Sequence, residues 1–388
     1  MKKKSDYFNV GPKRRIEDFY NFRPQLKEFI RSLKNRSRLV QISGLRLTGK
    51  TSLLLTGLAQ ANLPYIILDA RSLTMGGMIS REDLMRALGK ELNAFMAREK
   101  SWLASFRELS RGSQGVEIGT DSLIRLSWGK TASESADLSM LFEVIGKMAE
   151  KHSTHIVLAI DEAQELKNLI DFDFRSLLAH IYDYVPRLQI VLTGSEVALS
   201  KDSLGSDNPF APLYGRSNIL ISTHRLSNPQ AREFLKEGLA QNRIKPDSEV
   251  VEIAARRIGG TIGWLVILGN LARKMGRLDS SIIDSTVEQA VGTVLHDFQS
   301  FLRLRTVAEE RYRTILVVLA DRHPYRWSEL KQAVENRIGR RIPDIGFANL
   351  LSNLLKASYV EKLPDGSYVL GDPIFAEAAK RSPLATPK

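Results

Sequence analysis

Apolar positions recur along this chain in two rhythms, and the alternation between them outlines its organisation. From Phe19 to Leu33 the spacing is helical, with Leu26, Phe29, Ile30 and Leu33 on one face. Short apolar runs follow at Leu39–Ile42, Tyr65–Asp69, Ile156–Ile160, Leu188–Thr193 and Asn218–Ile221. Helical spacing returns between them over Ser80–Lys100, Leu138–Lys151 and Phe174–Val185. Continuous apolar strands alternating with amphipathic helices predict a parallel sheet covered on both faces. Residues 111–137 interrupt this rhythm. Glycines punctuate Val116-Glu117-Ile118 and Leu123 to Trp128, which predicts an inserted β-hairpin near 112–130. It is read as an extra edge of the sheet; the alternative is a contact with a polymer or another subunit.

Beyond Ile221 the strand pattern stops. Asn228–Arg243, Ser248–Ile258, Gly263–Met275 and Ile282–Leu304 carry helical spacing, and Asn228-Pro229 reads as a helix start with Asn as cap. The end changes once more. Helices are expected over Glu310–Ala320 and Trp327–Val334, and a third presents Phe347, Leu350, Leu351, Leu354 and Leu355 on one face. A hairpin follows, turning at Leu363-Pro364-Asp365-Gly366, so the layout is that of a winged helix. The expected fold class is an α/β core with a parallel sheet (1–222), then a helical domain (223–306) and a C-terminal winged-helix domain (307–388).

A P-loop spans Gly44-Leu45-Arg46-Leu47-Thr48-Gly49-Lys50-Thr51, which fits G-x-x-x-x-G-K-[ST] between a strand and a helix start at Ser52. Such a loop aims successive backbone N–H groups and the positive end of a helix at one point. Residues 44–52 are thereby candidates to cradle nucleotide phosphates, with Lys50 on the β- and γ-phosphates and the Thr51 hydroxyl on Mg²⁺. Ile160-Asp161-Glu162 ends a buried strand, which makes Asp161 a second Mg²⁺ ligand and Glu162 the group that orients and deprotonates the attacking water. Asp69 also ends a strand, where it either supports Mg²⁺-bound water or caps its loop. Thr193 or Ser195, after the next strand, is placed to sense the γ-phosphate or position water; a plain turn is the alternative. Arg216 follows a breaker-dense loop and is a candidate arginine finger, in cis or across a subunit interface.

Composition bounds the rest. Lys and Arg exceed Asp and Glu by 56 − 44 = 12 over 388 residues, a balance that suits either a polyanion partner or a generally charged surface. The absence of cysteine excludes disulfides and thiolate metal sites. His152 and His155 lack a carboxylate ligand set and read as surface residues. No apolar run approaches the ~20 residues of a membrane span and no signal-like h-region follows the basic start, so no membrane association and a cytoplasmic location are expected.

Together the motifs resemble the archaeal ATPase family within the STAND branch of P-loop NTPases, relatives of the AAA+ origin-binding ATPases. The resemblance rests on Phe22-Arg23 with Leu26, the P-loop, Ile160-Asp161-Glu162-Ala163-Gln164-Glu165, Leu192 to Ser195, Pro212 to Arg216 and Gly259 to Leu265. It implies that Arg216 senses phosphate, that Arg23 lies near the adenine, and that the Gly259–Trp264 turn closes over the nucleotide. Ile262 stands where that family usually has proline, which leaves the rigidity of the turn open.

The reading is an ATP- and Mg²⁺-dependent switch with slow or partner-stimulated hydrolysis. It acts either on double-stranded DNA or on a protein partner or a second copy of itself. For DNA, Arg337, Arg340, Arg341, Lys356 and Lys362 would meet phosphates while Asn349 and Asn353 face a groove. The alternative is that the winged helix only packs on the rest of the protein. A small-molecule kinase would need an acceptor site that no motif here supplies.

Overall fold

A computed structural model describes residues 5–76, 78–111, 116–119, 121, 123–126, 134–170, 172–194, 212–213, 215–303, 305–321 and 324–381. Two compact units emerge. One comprises Pro12–Gly44 and Lys50–Thr223; the other comprises Met1–Gly11, Leu45–Gly49 and His224–Lys388.

The first unit runs α1 (Arg23–Lys34), β1 (Leu39–Gly44), α2 (Lys50–Ala61), β2 (Tyr65–Asp69), α3 (Arg81–Arg98), α4 (Trp102–Leu109), β3 (Val116–Ile118), β4 (Ile124–Leu126), α5 (Glu134–Lys151), β5 (Ile156–Asp161), α6 (Phe174–Tyr184), β6 (Leu188–Gly194) and β7 (Ile219–Thr223). Five strands pair in parallel in the order β2-β5-β6-β1-β7. Every residue of β1, β5 and β6 is buried, as central strands require, whereas the outer strand β7 leaves Leu220 exposed. The two-residue period of a strand divides the core. Leu158, Ile160, Ile190 and Leu192 join the apolar cluster that includes α3, α5 and α6. Val157, Ala159 and Val191 join the cluster on the α1–α2 face.

The hairpin forms at the expected place but is not an edge of this sheet. β3 and β4 make a separate two-stranded sheet. The Asn93 side chain on α3 fixes it by accepting from the Ile124 N–H and donating to the Ile124 carbonyl, each at 2.8 Å. His155, expected at the surface, is buried, with its Nε2 3.1 Å from the Leu33 carbonyl, and burial lowers its pKa. His152 stacks on Trp102.

The second unit contains α7 (Asn228–Gln241), α8 (Ser248–Ile258), α9 (Ile262–Met275), α10 (Ser280–Arg303), α11 (Glu309–Asp321), α12 (Trp327–Ile338), α13 (Asp344–Lys356), β8 (Val360–Lys362), β9 (Tyr368–Leu370) and α14 (Pro373–Arg381). The cap of α7 is Ser227, in a capping box with Gln230, so Asn228 stands one position inside the helix. Helix α10 serves two groups of helices: Ile282, Ile283 and Val287 are buried near its start, while Phe298 and Leu302 near its end belong to the core of α11–α14. An N-terminal segment also docks here. Phe8 is fully buried edge-on to Phe234, and Asp6 pairs with Arg273 at 2.7 Å.

Candidate functional site

Strand order brings the chemistry together in the first unit. Because β1, β5 and β6 are parallel neighbours, Gly44, Asp161 and Thr193 all reach the same carboxyl edge. Lys50 opens α2 there; its buried Nζ donates to the Gly44 carbonyl at 3.1 Å and lies 4.0 Å from Glu162 Oε1. The Thr51 hydroxyl donates to Asp161 at 2.9 Å. The Thr193 hydroxyl donates to the other oxygen of Asp161 and accepts the Glu162 backbone N–H at 3.0 Å. One threonine thus ties the position of both acids. Glu162 itself adopts a left-handed backbone (φ 53°), a conformation that costs a non-glycine residue about 1 kcal/mol or more. Gln164 holds its carboxylate, with Nε2 donating to Oε2 at 2.7 Å.

Burial pushes the Asp161 carboxyl above the usual carboxylate range, opposed by the two threonine hydroxyls. A carboxylate and a hydroxyl this close form a hard-oxygen pair suited to Mg²⁺. Among the described residues no group of three or more His, Cys, Asp or Glu side chains is placed to hold a metal. The pair therefore fits an ion that completes its shell with phosphate oxygens and water rather than one caged by protein.

Two residues at this edge were not singled out from the sequence for a role in the site. Gln164 is one. Arg71 is the other: it follows β2, donates through Nε to Asp69 at 3.3 Å, and brings Nη2 to 3.5 Å from Asp161. The pairing of β2 with β5 sets Asp69 opposite Asp161 and delivers Arg71 to the site. Asp69 caps its loop, its carboxylate also accepting the Arg71 backbone N–H at 3.1 Å.

The crown of the P-loop, Leu45–Gly49, belongs to the second unit. Gly49 has φ 97°, which only glycine adopts readily, and Leu47 is left-handed at φ 63°. The Leu47 carbonyl accepts the Gly263 N–H at 3.0 Å, and a Cβ on Gly263 would come within 2.7 Å of Leu47 Cβ, so the turn approaches the loop closely only as glycine. Thr48 donates to the Leu45 carbonyl, and Arg46 pairs with Asp297 on α10. The same turn meets the C-terminal helix, where Thr261 donates to Asp372 at 2.7 Å. Ser52 Oγ accepts the Lys13 N–H at 3.1 Å. Arg23 is exposed at the first position of α1.

Arg216 is not at this edge. It lies just before β7, whose Ile219 pairs with Val40 near the start of β1, and it binds Asp183 with Nε–Oδ1 at 3.1 Å. That is the amino edge, and at about 3.3 Å per residue the strands separate the two edges by roughly 15 Å. The arginine therefore stands at the opposite end of the strands from Lys50 of its own chain. Ser195 lies outside the described residues.

In the winged helix, Asn353 is half-buried and donates to the Tyr312 hydroxyl at 2.9 Å, which turns it toward α11. Arg337 and Arg340 pair with Asp321 and Glu310. Ile345, Ala348, Asn349, Arg341 and Lys362 are exposed. The Lys356 side chain lies outside the described residues.

Residues 306–370 match the family described as the MCM protein C-terminal winged helix-turn-helix domain. No curated protein matches the chain by sequence. Among solved structures, the Walker-type ATPase of Pyrococcus abyssi is similar with 27% identity and a TM-score of 0.76, over 96% of this chain and 99% of that one. The ORC2 protein of Aeropyrum pernix, solved as ADPNP–ADP complexes, is similar in fold with a TM-score of 0.60 and 12% identity, over 97% of each chain. Nearly the whole chain thus has the fold of archaeal AAA+-related Walker-type ATPases, ending in a winged helix.

Proposed function

We propose that this protein is a STAND-type ATP-hydrolysing switch that depends on Mg²⁺. The observation that carries the reading is the linkage of Thr51, Asp161, Thr193 and Glu162 beside Lys50 at one sheet edge. Lys50 holds the terminal phosphates. Thr51 and Asp161 would hold Mg²⁺, which when bound neutralises phosphate charge. Glu162, released from Gln164, orients and deprotonates water, while Thr193 keeps both acids in register. The P-loop crown reports occupancy through Leu47 to the Gly263 turn, and through Thr261 and Asp372 to the winged helix. The working domains in this reading are 1–222, 223–306 and 307–388. The test is titration with Mg-ATP. Lys50→Ala should weaken binding by about 100-fold, as loss of a buried charge contact of roughly 3 kcal/mol requires; unchanged affinity would remove the reading.

For the output we propose duplex DNA, supported by the winged-helix family match and by exposed Arg341, Asn349 and Lys362. A second reading, a protein partner or second copy, is favoured by inward-facing Asn353 and by the pairing of Arg337 and Arg340 with acids. Duplex binding that weakens steeply with salt and falls on neutralising Arg340 and Arg341 supports DNA. No binding at low salt supports the protein partner.

A further inference from the structure

We propose that Arg71 is a cis-acting cation for the terminal phosphate of the bound nucleotide, a reading that rests on the ATP assignment above. Three observations carry it. The first is placement: Arg71 stands two residues past the end of β2, and the register of β2 against β5 brings its guanidinium to the carboxylates that follow β5, with Nη2 3.5 Å from Asp161.

The second is how it is held. Asp69 accepts both the Arg71 backbone N–H and its Nε, so the guanidinium is aimed by its own strand end rather than by Asp161. Asp161 already receives hydroxyl donors from Thr51 and Thr193, and its separation from Arg71 exceeds a normal hydrogen bond. An arginine whose task was to neutralise the buried Asp161 would be expected to be buried and bidentate with it. Arg71 is instead 52% exposed, so the head can leave Asp161 at small desolvation cost.

The third is charge. At this edge the carboxylates of Asp69, Asp161 and Glu162 face the cations of Lys50 and Arg71, and Mg-ATP adds further net negative charge. A planar guanidinium suits a phosphate that gains charge in the transition state. Arg216, the other arginine singled out for this task, is tied to Asp183 at the opposite edge of the sheet.

The alternative is a counterion that only offsets the acids, and the two predict opposite signs. Affinities of wild type, Arg71→Ala and Arg71→Lys for ATP, ADP and Mg²⁺ are measured by calorimetry, with thermal melting to confirm folding. The proposal expects Arg71→Ala to weaken ATP by about 10- to 100-fold while ADP changes less than about threefold, as loss of one charge-assisted phosphate contact implies. Arg71→Lys should recover part of the loss. Equal effects on ATP and ADP, or tighter Mg²⁺ binding without loss of ATP, overturn it. Wild-type protein that binds neither nucleotide overturns the ATP assignment itself, and this inference with it. If Arg71→Ala does not fold, the ATP-to-ADP preference of Arg71→Lys decides: a preference equal to wild type overturns the proposal.

Discussion

At the carboxyl edge of the sheet, Lys50, Arg71, Asp161 and Glu162 converge around two threonine hydroxyls; at the amino edge, Arg38, Asp183 and Arg216 gather around Tyr182. The residue types are alike but the environments differ. Asp161 is buried and burial raises its pKa. Asp183 is part-exposed, and its hydrogen bond from Arg216 lowers its pKa. Arg38 donates to the carbonyls of Tyr182 and Val185 where α6 ends, and so satisfies groups the helix leaves open. At the amino edge Asp183 is paired with Arg216, while Arg38 is taken up by backbone carbonyls. The carboxyl edge holds an acid kept costly to ionise, next to donors that a ligand can share. An acid held this way in a set of polar groups marks a candidate binding site.

The comparison is broken most severely at Asp161. Asp161→Asn should lower Mg²⁺-dependent hydrolysis by at least about 100-fold, the scale of losing a group that acts in the transition state. The same variant should be more stable than wild type without ligand, by about 1 kcal/mol at neutral pH. The sign follows from linkage. An acid whose folded-state pKa is raised binds its proton more tightly folded than unfolded. Its destabilising charge is absent below the unfolded-state pKa, grows as pH rises from there toward the folded-state value, and is complete above that value. Chemical denaturation at acidic and neutral pH should therefore show the gain only at the higher pH. A variant less stable at both would show that the hydroxyl network outweighs burial.

Arg216→Ala sharpens the other side. With the surface pair to Asp183 lost, stability should fall by less than about 1 kcal/mol. Hydrolysis by dilute protein, measured in single turnover, should change by less than about twofold, because the arginine sits at the far edge. A larger loss that appears only at high protein concentration would assign it to a neighbouring copy's nucleotide.

Much of this was legible in the sequence, for physical reasons that also explain what was not. β5 announces itself because a strand buried on both faces runs apolar from Ile156 to Ile160. The P-loop and the Asp161-Glu162 pair are each an unbroken run of sequence, so a local pattern is enough to find them. Arg71 is different: its role depends on β2 lying beside β5 in a register that sets Asp69 against Asp161, which no local pattern encodes. The resemblance assigned Arg216 to phosphate, but the pairing of Ile219 with Val40 sets it at the wrong end of the strands for its own site. Asn353 occupies the polar side of a helical pattern, yet Tyr312 on another helix draws it inward. Phe8 is a lone aromatic in an irregular segment, and its burial against Phe234 depends on a helix more than two hundred residues away.

The central claim is that Glu162 activates water beside a phosphate site built by Lys50, Thr51 and Asp161. It is tested most directly by measuring ATP affinity and phosphate release side by side for wild type and Glu162→Gln. ATP affinity should stay within about threefold of wild type while hydrolysis falls by roughly 100- to 10,000-fold, the range of a general base. Hydrolysis by Glu162→Gln at the wild-type rate would contradict the claim.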